Sequence, residues 1–335
     1  MGVLPQLKIL FLRRKGEGTI AAARHFHDFE QEVGKFADCK WAGREWPLYV
    51  EDESLKETVE RVMPDADWVI DRERNTPIPH DRDYKTACYL SDLHSRGSAR
   101  IKNDPERHVE FINQMGYDVA ILKYEEIHSF GLSPRIFVDN LKPKILFLPW
   151  SVNAEEFNPR RIKRWEVAFI GSIRGRVYPF RVILQHDLPR FCRERNLRFL
   201  FSKRARNLTS FTNQQLYDHP DYYFGPRYAD ALSKIRFFIF GCSIFRYPLV
   251  KYFEAMSSGC VVVADEPSSA EKLGFIDGET YVSVTRENWE DKLDYYLGHP
   301  EEADNIAVNA RNLVLEKHTH EIRAKHFVKY LKGFK

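Results

Sequence analysis

The chain has 335 residues, which at about 150 residues per domain suggests roughly two domains. Hydrophobic residues at 43% and charged residues at 30% exclude a disordered or fibrous chain. Lysine and arginine total 51 against 48 acidic residues, so a net charge of +3 excludes a uniformly cationic surface and leaves only local basic patches. Nucleic acid is therefore not an expected partner, whereas peripheral membrane contact is compatible with the local patches. The five cysteines include no C-x-x-C pair, and their odd number suits a reducing compartment. No apolar run reaches the roughly 18 residues of a spanning helix, and 7–12 is too short for a signal-peptide core. A cytoplasmic location is the expectation.

In chain order, the apolar run at 8–12 predicts a short buried strand. A loop with Gly16 and Gly18 follows, then a helix over 21–33. Further strands are expected over 67–70, 87–90, 119–122 and 145–148, with helices between them, for example over 105–115. Prolines and the basic residues Arg160, Arg161, Lys163 and Arg164 mark a linker, after which the pattern restarts. A strand at 167–170 runs into a glycine loop and a helix over 179–194. Strands over 197–201, 237–240 and 261–264 precede a helical tail from 288 to 330. Short apolar runs alternating with helices indicate parallel sheets covered on both faces. The expected class is α/β, with Rossmann-like domains at 1–150 and 151–315 and a terminal helix at 316–335. Ligands of such sheets bind outside the carboxyl ends of the strands.

Several constellations could carry chemistry. Lys251 and Glu254 stand three apart on a short predicted helix, so they share a face. The carboxylate could accept hydrogen bonds from a vicinal diol such as ribose, and the lysine could neutralise a phosphate. A solvated Lys–Glu pair would have the same spacing. Gly171 and Ser172 open a loop between strand and helix whose amides could approach a phosphate, with Arg174 and Arg181 adding charge. Gly16 and Gly18 form a comparable turn after the first strand. Asp92 and His94 alternate at a strand end, so they would point the same way if the strand persists. There the histidine could hold a sugar hydroxyl and the aspartate could act as base or orient an acceptor. The clusters Arg13, Arg14, Lys15 and Lys203, Arg204, Arg206 read as solvated faces. The triplets Asp65-Ala-Asp67 and Asp81-Arg-Asp83 fall in the first half, and no histidine spacing forms a metal site.

The stretch 245–264 resembles the nucleotide-sugar signature of GT-B glycosyltransferases, specifically the family-4-like group and the CgeB-like (spore-maturation type) group, while 228–240 and 271–278 resemble the elements before and after it, 318–324 the terminal helix of the CgeB-like group and 167–172 the start of the second domain. The resemblance covers about residue 145 to the end. It implies two Rossmann-like domains facing across a cleft, an acceptor domain followed by a donor domain. It further implies that the terminal helix crosses back to the first domain. The donor is a nucleoside diphosphate sugar, UDP or GDP being the expected nucleotide, with no separate cofactor and no metal. Glu254 would hold the ribose, with Lys251 beside it. Arg181, then Arg174, with the Gly171–Ser172 loop, would hold the diphosphate. Main chain around Gly225 would meet the base, and Gly16 and Gly18 would face the donor. Transfer would retain anomeric configuration, to a glycan, protein or small molecule. One departure stands out: many family-4 members carry a second glutamate eight positions before the one that Glu254 matches, where this chain has Arg246. The alternatives are a nucleotide-sugar epimerase, a DNA-base glucosyltransferase, and a non-catalytic nucleotide-sugar-binding protein.

Overall fold

The computed structural model describes residues 6–15, 24–72, 78–90, 92–94, 104–160, 162–173, 175–203 and 213–334. The chain divides into two compact units, one of residues 1–149 with 320–335, the other of residues 150–319.

The first unit is a parallel sheet of β1 (Lys8–Leu12), β2 (Asp38–Ala42), β3 (Trp68–Asp71), β4 (Lys85–Leu90), β5 (Val119–Leu122) and β6 (Lys144–Phe147), in the order β2-β1-β3-β4-β5-β6. Its helices are α1 (Arg24–Val33), α2 (Leu55–Val62), α3 (Pro105–Met115) and α4 (Ile136–Asn140), with the terminal helix α12 (His320–Gly333) added from the far end of the chain. Strands β3 and β5 are buried along their whole length, because helices cover both faces. Strand β2 escapes a search for apolar runs. It is an edge strand, Asp-Cys-Lys-Trp-Ala, and only its last residue is fully buried. Local signals set the helix ends. The Asp104 side chain accepts the Arg107 N–H ahead of a proline that opens α3, and Gly116 ends that helix at φ 82°.

Helix α12 completes this unit. Ala324, Phe327, Val328 and Leu331 join the core beside β1 and β3, and Phe327 meets Phe29 of α1 edge-on at 5.9 Å. Below the sheet edge, Arg13 and Glu30, each only 1% exposed, form an ion pair at 2.6 Å. Glu30 also accepts Trp41 Nε1 at 2.9 Å. Arg13, expected on a solvated face, is thus an interior residue, because Glu30 on α1 gives it a partner that water would otherwise supply.

The second unit holds β7 (Trp165–Gly171), β8 (Phe199–Lys203), β9 (Ile235–Phe240), β10 (Val261–Ala264) and β11 (Val282–Ser283), all parallel in the order β11-β10-β9-β7-β8. Its helices are α5 (Pro179–Glu194), α6 (Asn213–Asp218), α7 (Gly225–Ser233), α8 (Val250–Ser257), α9 (Ala270–Leu273), α10 (Trp289–Gly298) and α11 (Pro300–Lys317). Gly259 ends α8 in the left-handed region at φ 69°, and a Cβ there would lie 2.9 Å from Pro159 Cβ. This turn sends the chain straight into β10. Lys163 of the basic linker is not solvated either. Its Nζ donates to the carbonyls of Ser233, Ser258 and Gly259, tying the linker to two helix ends. Among the described residues, no helix is long and apolar enough to cross a membrane.

Removing 320–335 should unfold the first unit. At about 1.5–3 kcal/mol per buried apolar side chain, Phe327, Val328 and Leu331 carry a large part of an ordinary domain stability of about 5–15 kcal/mol. Urea unfolding of the truncated chain should lack one transition, and an unchanged profile would refute this. A second expectation concerns His320, which packs against the Phe29 ring. Burial, with a smaller push from Lys123, holds it down at about 3, against 6.5 for a free imidazole. Between those values the unfolded chain takes up a proton that the native state refuses. Stability should therefore fall as pH drops from 6.5 toward 3, by about 1.4 kcal/mol per unit for this group. His320→Phe should flatten that slope in denaturant titrations; an unaltered slope would show that another group carries it.

Candidate functional site

In each sheet the first strand is flanked by its second and third, so the chain leaves that strand in opposite directions. This switch point opens a crevice at the carboxyl ends of two neighbouring strands. In the second unit it lies between β7 and β9, between Ile170-Gly171 and Gly241.

Two cationic side chains reach this point from the first turns of their helices. Arg181 of α5 is 3% exposed. Its Nε donates to the Gly241 carbonyl at 2.6 Å, its Nη1 to the Ser172 carbonyl at 3.1 Å, and its guanidinium lies 3.7 Å from the centre of the Tyr178 ring. Its Nη2 is buried and has no hydrogen-bond partner among the described residues. Burial pulls its pKa down, and Tyr178 and then Asp265 are the strongest influences holding it up. Lys251 of α8 sends Nζ to the Ile170 carbonyl. Gly171 is the meeting place: a Cβ there would lie 3.3 Å from Lys251 Nζ and 3.6 Å from Arg181 Nη1. The side chain of Tyr178 does not cap α5, so nothing from that residue covers the first-turn amides.

Behind the lysine stands Tyr228 of α7. Lys251 Nζ is 5.3 Å from its ring centre. Its hydroxyl is buried, and its pKa is pushed well above the phenol range by burial first and by the Glu254 carboxylate next. Glu254 and Lys251, three apart on α8, thus both lie near Tyr228. The loops at this edge are stitched together. The Cys242 N–H donates to Asp265 Oδ1 at 2.5 Å, Tyr252 Oη to the Asp265 carbonyl at 2.6 Å, and the Ser268 N–H to the Arg246 carbonyl at 2.6 Å. Burial raises the Asp265 carboxyl, while the Cys242 amide works against that rise. The hydroxyls of Ser243, Ser268 and Ser269 are buried here without partners among the described residues. Arg246, at φ 56°, donates from Nε and Nη2 to the Glu266 carbonyl.

The sequence-derived residues sort as follows. Gly171, Ser172, Arg181 and Lys251 converge at one sheet edge, and Glu254, three positions further along α8, lies near the Tyr228 hydroxyl. Gly225 opens α7 at φ 51°, one turn before Tyr228. Gly16, Gly18 and Arg174 lie outside the described residues. Asp92 and His94 do not share a strand face, because β4 ends at Leu90 and a turn carries residues 93–94. Buried Leu93 separates an exposed aspartate from a half-buried histidine. They still interact: burial lowers the His94 pKa and Asp92 opposes it. The aspartates Asp65, Asp67, Asp81 and Asp83 precede β3 and β4, so they sit at the amino edge of their sheet, away from its switch point. There Asp67 accepts the Lys8 N–H at 2.8 Å, Asp65 pairs with the Lys8 side chain, and Asp81 pairs with Lys56.

Sequence reasoning missed Tyr228 and Asp265. Asp265 stands in plain view, an acid directly following the Val-Val-Val-Ala strand β10. Nothing in the sequence marks Tyr228 except its place one turn into a helix that leads to a strand.

The sequence model of a family described as "Glycosyl transferase-like" matches residues 193–329. No curated protein matches the chain. Among solved structures, HepE of Anabaena, in complex with UDP and glucose, superimposes with a TM-score of 0.61 at 13% identity, covering 98% of this chain and 100% of that one. A sucrose-phosphate synthase from Thermosynechococcus elongatus gives 0.60 at 12% identity, covering 98% of each chain. A glycosyltransferase from Rickettsia africae gives 0.58 at 13%, with 98% of each covered. This likeness establishes the fold, that of the GT-B glycosyltransferases, with two parallel-sheet α/β units.

Proposed function

We propose that the protein is a glycosyltransferase whose second unit binds a nucleoside diphosphate sugar. The observation that carries this is the convergence of Arg181 and Lys251 on Gly171 at the switch point, with Glu254 on the same helix face as Lys251. Arg181 is bound to neutral carbonyls and keeps a buried donor, Nη2, for a diphosphate oxygen. Glu254 accepts the ribose hydroxyls, and the Gly225 end of α7 faces the base. The complex of HepE with UDP and glucose supports UDP as the nucleotide. The sequence resemblance favours the CgeB-like group and retention of configuration.

In the reaction, the bond between the sugar C1 and the diphosphate oxygen breaks, and its electron pair leaves with the diphosphate. The acceptor oxygen bonds to C1, and its proton passes to a diphosphate oxygen. Arg181, Lys251 and the α5 amides stabilise the departing charge, which serves the step without a bound metal. On the first unit, His94 with Asp92 orients the acceptor hydroxyl.

Calorimetry should show binding of UDP or GDP to the whole chain, weakened at least tenfold in Glu254→Ala. Gly171→Val should weaken the same nucleotide at least as much, because its side chain enters the space shared by Lys251 and Arg181. A folded wild type that binds neither nucleotide would overturn the reading. Arg181→Lys should also cost about 3 kcal/mol of stability, since one ammonium cannot span the Gly241 and Ser172 carbonyls. A melting curve unchanged from wild type would show that these bonds contribute little.

A further inference from the structure

The loops that leave β9 and β10 carry a polar cluster that the diphosphate contacts do not use. They run over 241–249 and 265–269, from strands that lie side by side. Main-chain bonds lock them together. The Arg246 N–H donates to the Ser243 carbonyl at 2.8 Å, and the Arg246 carbonyl accepts the Ser268 N–H at 2.6 Å. Ser243 is 5% exposed and Ser268 4%, and Ser269 is half-buried. The Oγ atoms of all three are buried without a hydrogen-bond partner among the described residues. Ser269 stands just ahead of α9, yet its side chain does not cap that helix. A buried hydroxyl without a partner costs stability, and native interiors hold few of them. Three in two adjoining loops point to polar groups kept for a ligand.

Their place in the fold says which part of a ligand they would meet. Gly241 opens the first loop, and its carbonyl holds Arg181 Nε. Ser243 follows two residues later. In a nucleoside diphosphate sugar the sugar is bonded directly to the terminal phosphate. A diphosphate held by Arg181 therefore brings its sugar within reach of the loop that begins at Gly241.

Arg246 is the one basic residue of the two loops. Its Nε–Nη2 edge holds the main-chain carbonyl of Glu266, not the carboxylate. That contact fixes the guanidinium against the second loop, two residues before Ser268. The residue is exposed, so a ligand can reach its Nη1–Nη2 edge. The other acid of the pair, Asp265, turns Oδ1 to the Cys242 N–H.

We propose that Arg246 receives a carboxylate borne by the donor sugar, and that the hydroxyls of Ser243, Ser268 and Ser269 bond to the sugar's own hydroxyls. The donor class is then a nucleoside diphosphate uronate, a hexose whose C6 is a carboxylate. A guanidinium presents only donors, in a fork that matches two carboxylate oxygens. A serine hydroxyl both donates and accepts, as a sugar hydroxyl requires. This assignment rests on the transfer reading above and names its substrate.

Calorimetry on the whole chain tests it with matched pairs: UDP-glucuronate against UDP-glucose, and GDP-mannuronate against GDP-mannose, with UDP and GDP alone as references. Wild type should bind the uronate of one pair at least tenfold more tightly than its neutral partner. Arg246→Gln should abolish that preference while affinity for the nucleotide alone changes less than twofold. If Arg246→Gln does not fold, Arg246→Lys replaces it; this variant keeps the charge without the fork and should cut the preference at least threefold. Ser268→Ala should weaken both sugars of the pair at least threefold, and unchanged affinities would remove the hydroxyls from the site. A neutral sugar bound as tightly as its uronate by wild type, or a preference that survives substitution of Arg246, overturns the proposal and leaves the nucleotide-binding reading in place. A folded wild type that binds neither nucleotides nor their sugars overturns both.

Discussion

Arg181 joins the carboxyl ends of β7 and β9 through two neutral carbonyls, and the second unit's crevice depends on that tie. Taking a guanidinium to 3% exposure carries a desolvation cost of several kcal/mol. Two hydrogen bonds, the Tyr178 ring and the more distant Asp265 offset it. A carboxylate partner would offset it more simply, but would also cancel the charge. Surface arginines of the same unit show that alternative: Arg190 pairs with Glu290 and Arg195 with Asp294. Those residues stabilise helices and have little field left for a ligand. The buried one is built in the opposite way.

The same economy organises both sheets. In each, the switch point follows from strand order alone, and the residues at or just past the strand ends there are basic or small: Arg13 and Arg72 in one unit, Gly171 and Gly241 in the other. The units differ in how that edge is furnished. In the second unit main-chain carbonyls hold the cations and leave a glycine-lined approach. In the first, one arginine is neutralised by Glu30, while Arg72 and Lys123 lie against aromatic rings. An approach lined by backbone suits a ligand recognised through its phosphates.

The fold was legible because the sheets are parallel and doubly covered. Continuous apolar runs such as 119–122 and 261–264 can satisfy neither a helix face nor a half-exposed strand. The edge strand β2 was illegible for the converse reason: its exposed positions carry Asp38 and Lys40. The crevice residues were legible only where a loop follows a strand in sequence, as for Gly171 and Ser172, or where two residues share a helix face. Contacts made across long separations were hidden. Arg181 to Gly241, Lys251 to Ile170 and Arg13 to Glu30 depend on which helix returns to which strand. The alternation argument for Asp92 and His94 required the strand to persist past Leu90, and alternation means nothing once the strand has ended there.

Arg246 shows how a substitution can change chemistry while leaving scaffold intact. It stands where the resembling enzymes carry a glutamate, yet its main chain does essential work: its carbonyl accepts the Ser268 N–H and joins the β9 and β10 loops. Its left-handed backbone fits that turn, and its guanidinium rests on the Glu266 carbonyl rather than on an acid. The position is therefore kept by backbone hydrogen bonding and is free to vary in charge. A carboxylate there would present acceptors to a sugar hydroxyl, whereas a guanidinium presents only donors. What changes between the two is the kind of polar group the loop can hold. The Arg181 and Lys251 contacts around Gly171 do not involve Arg246.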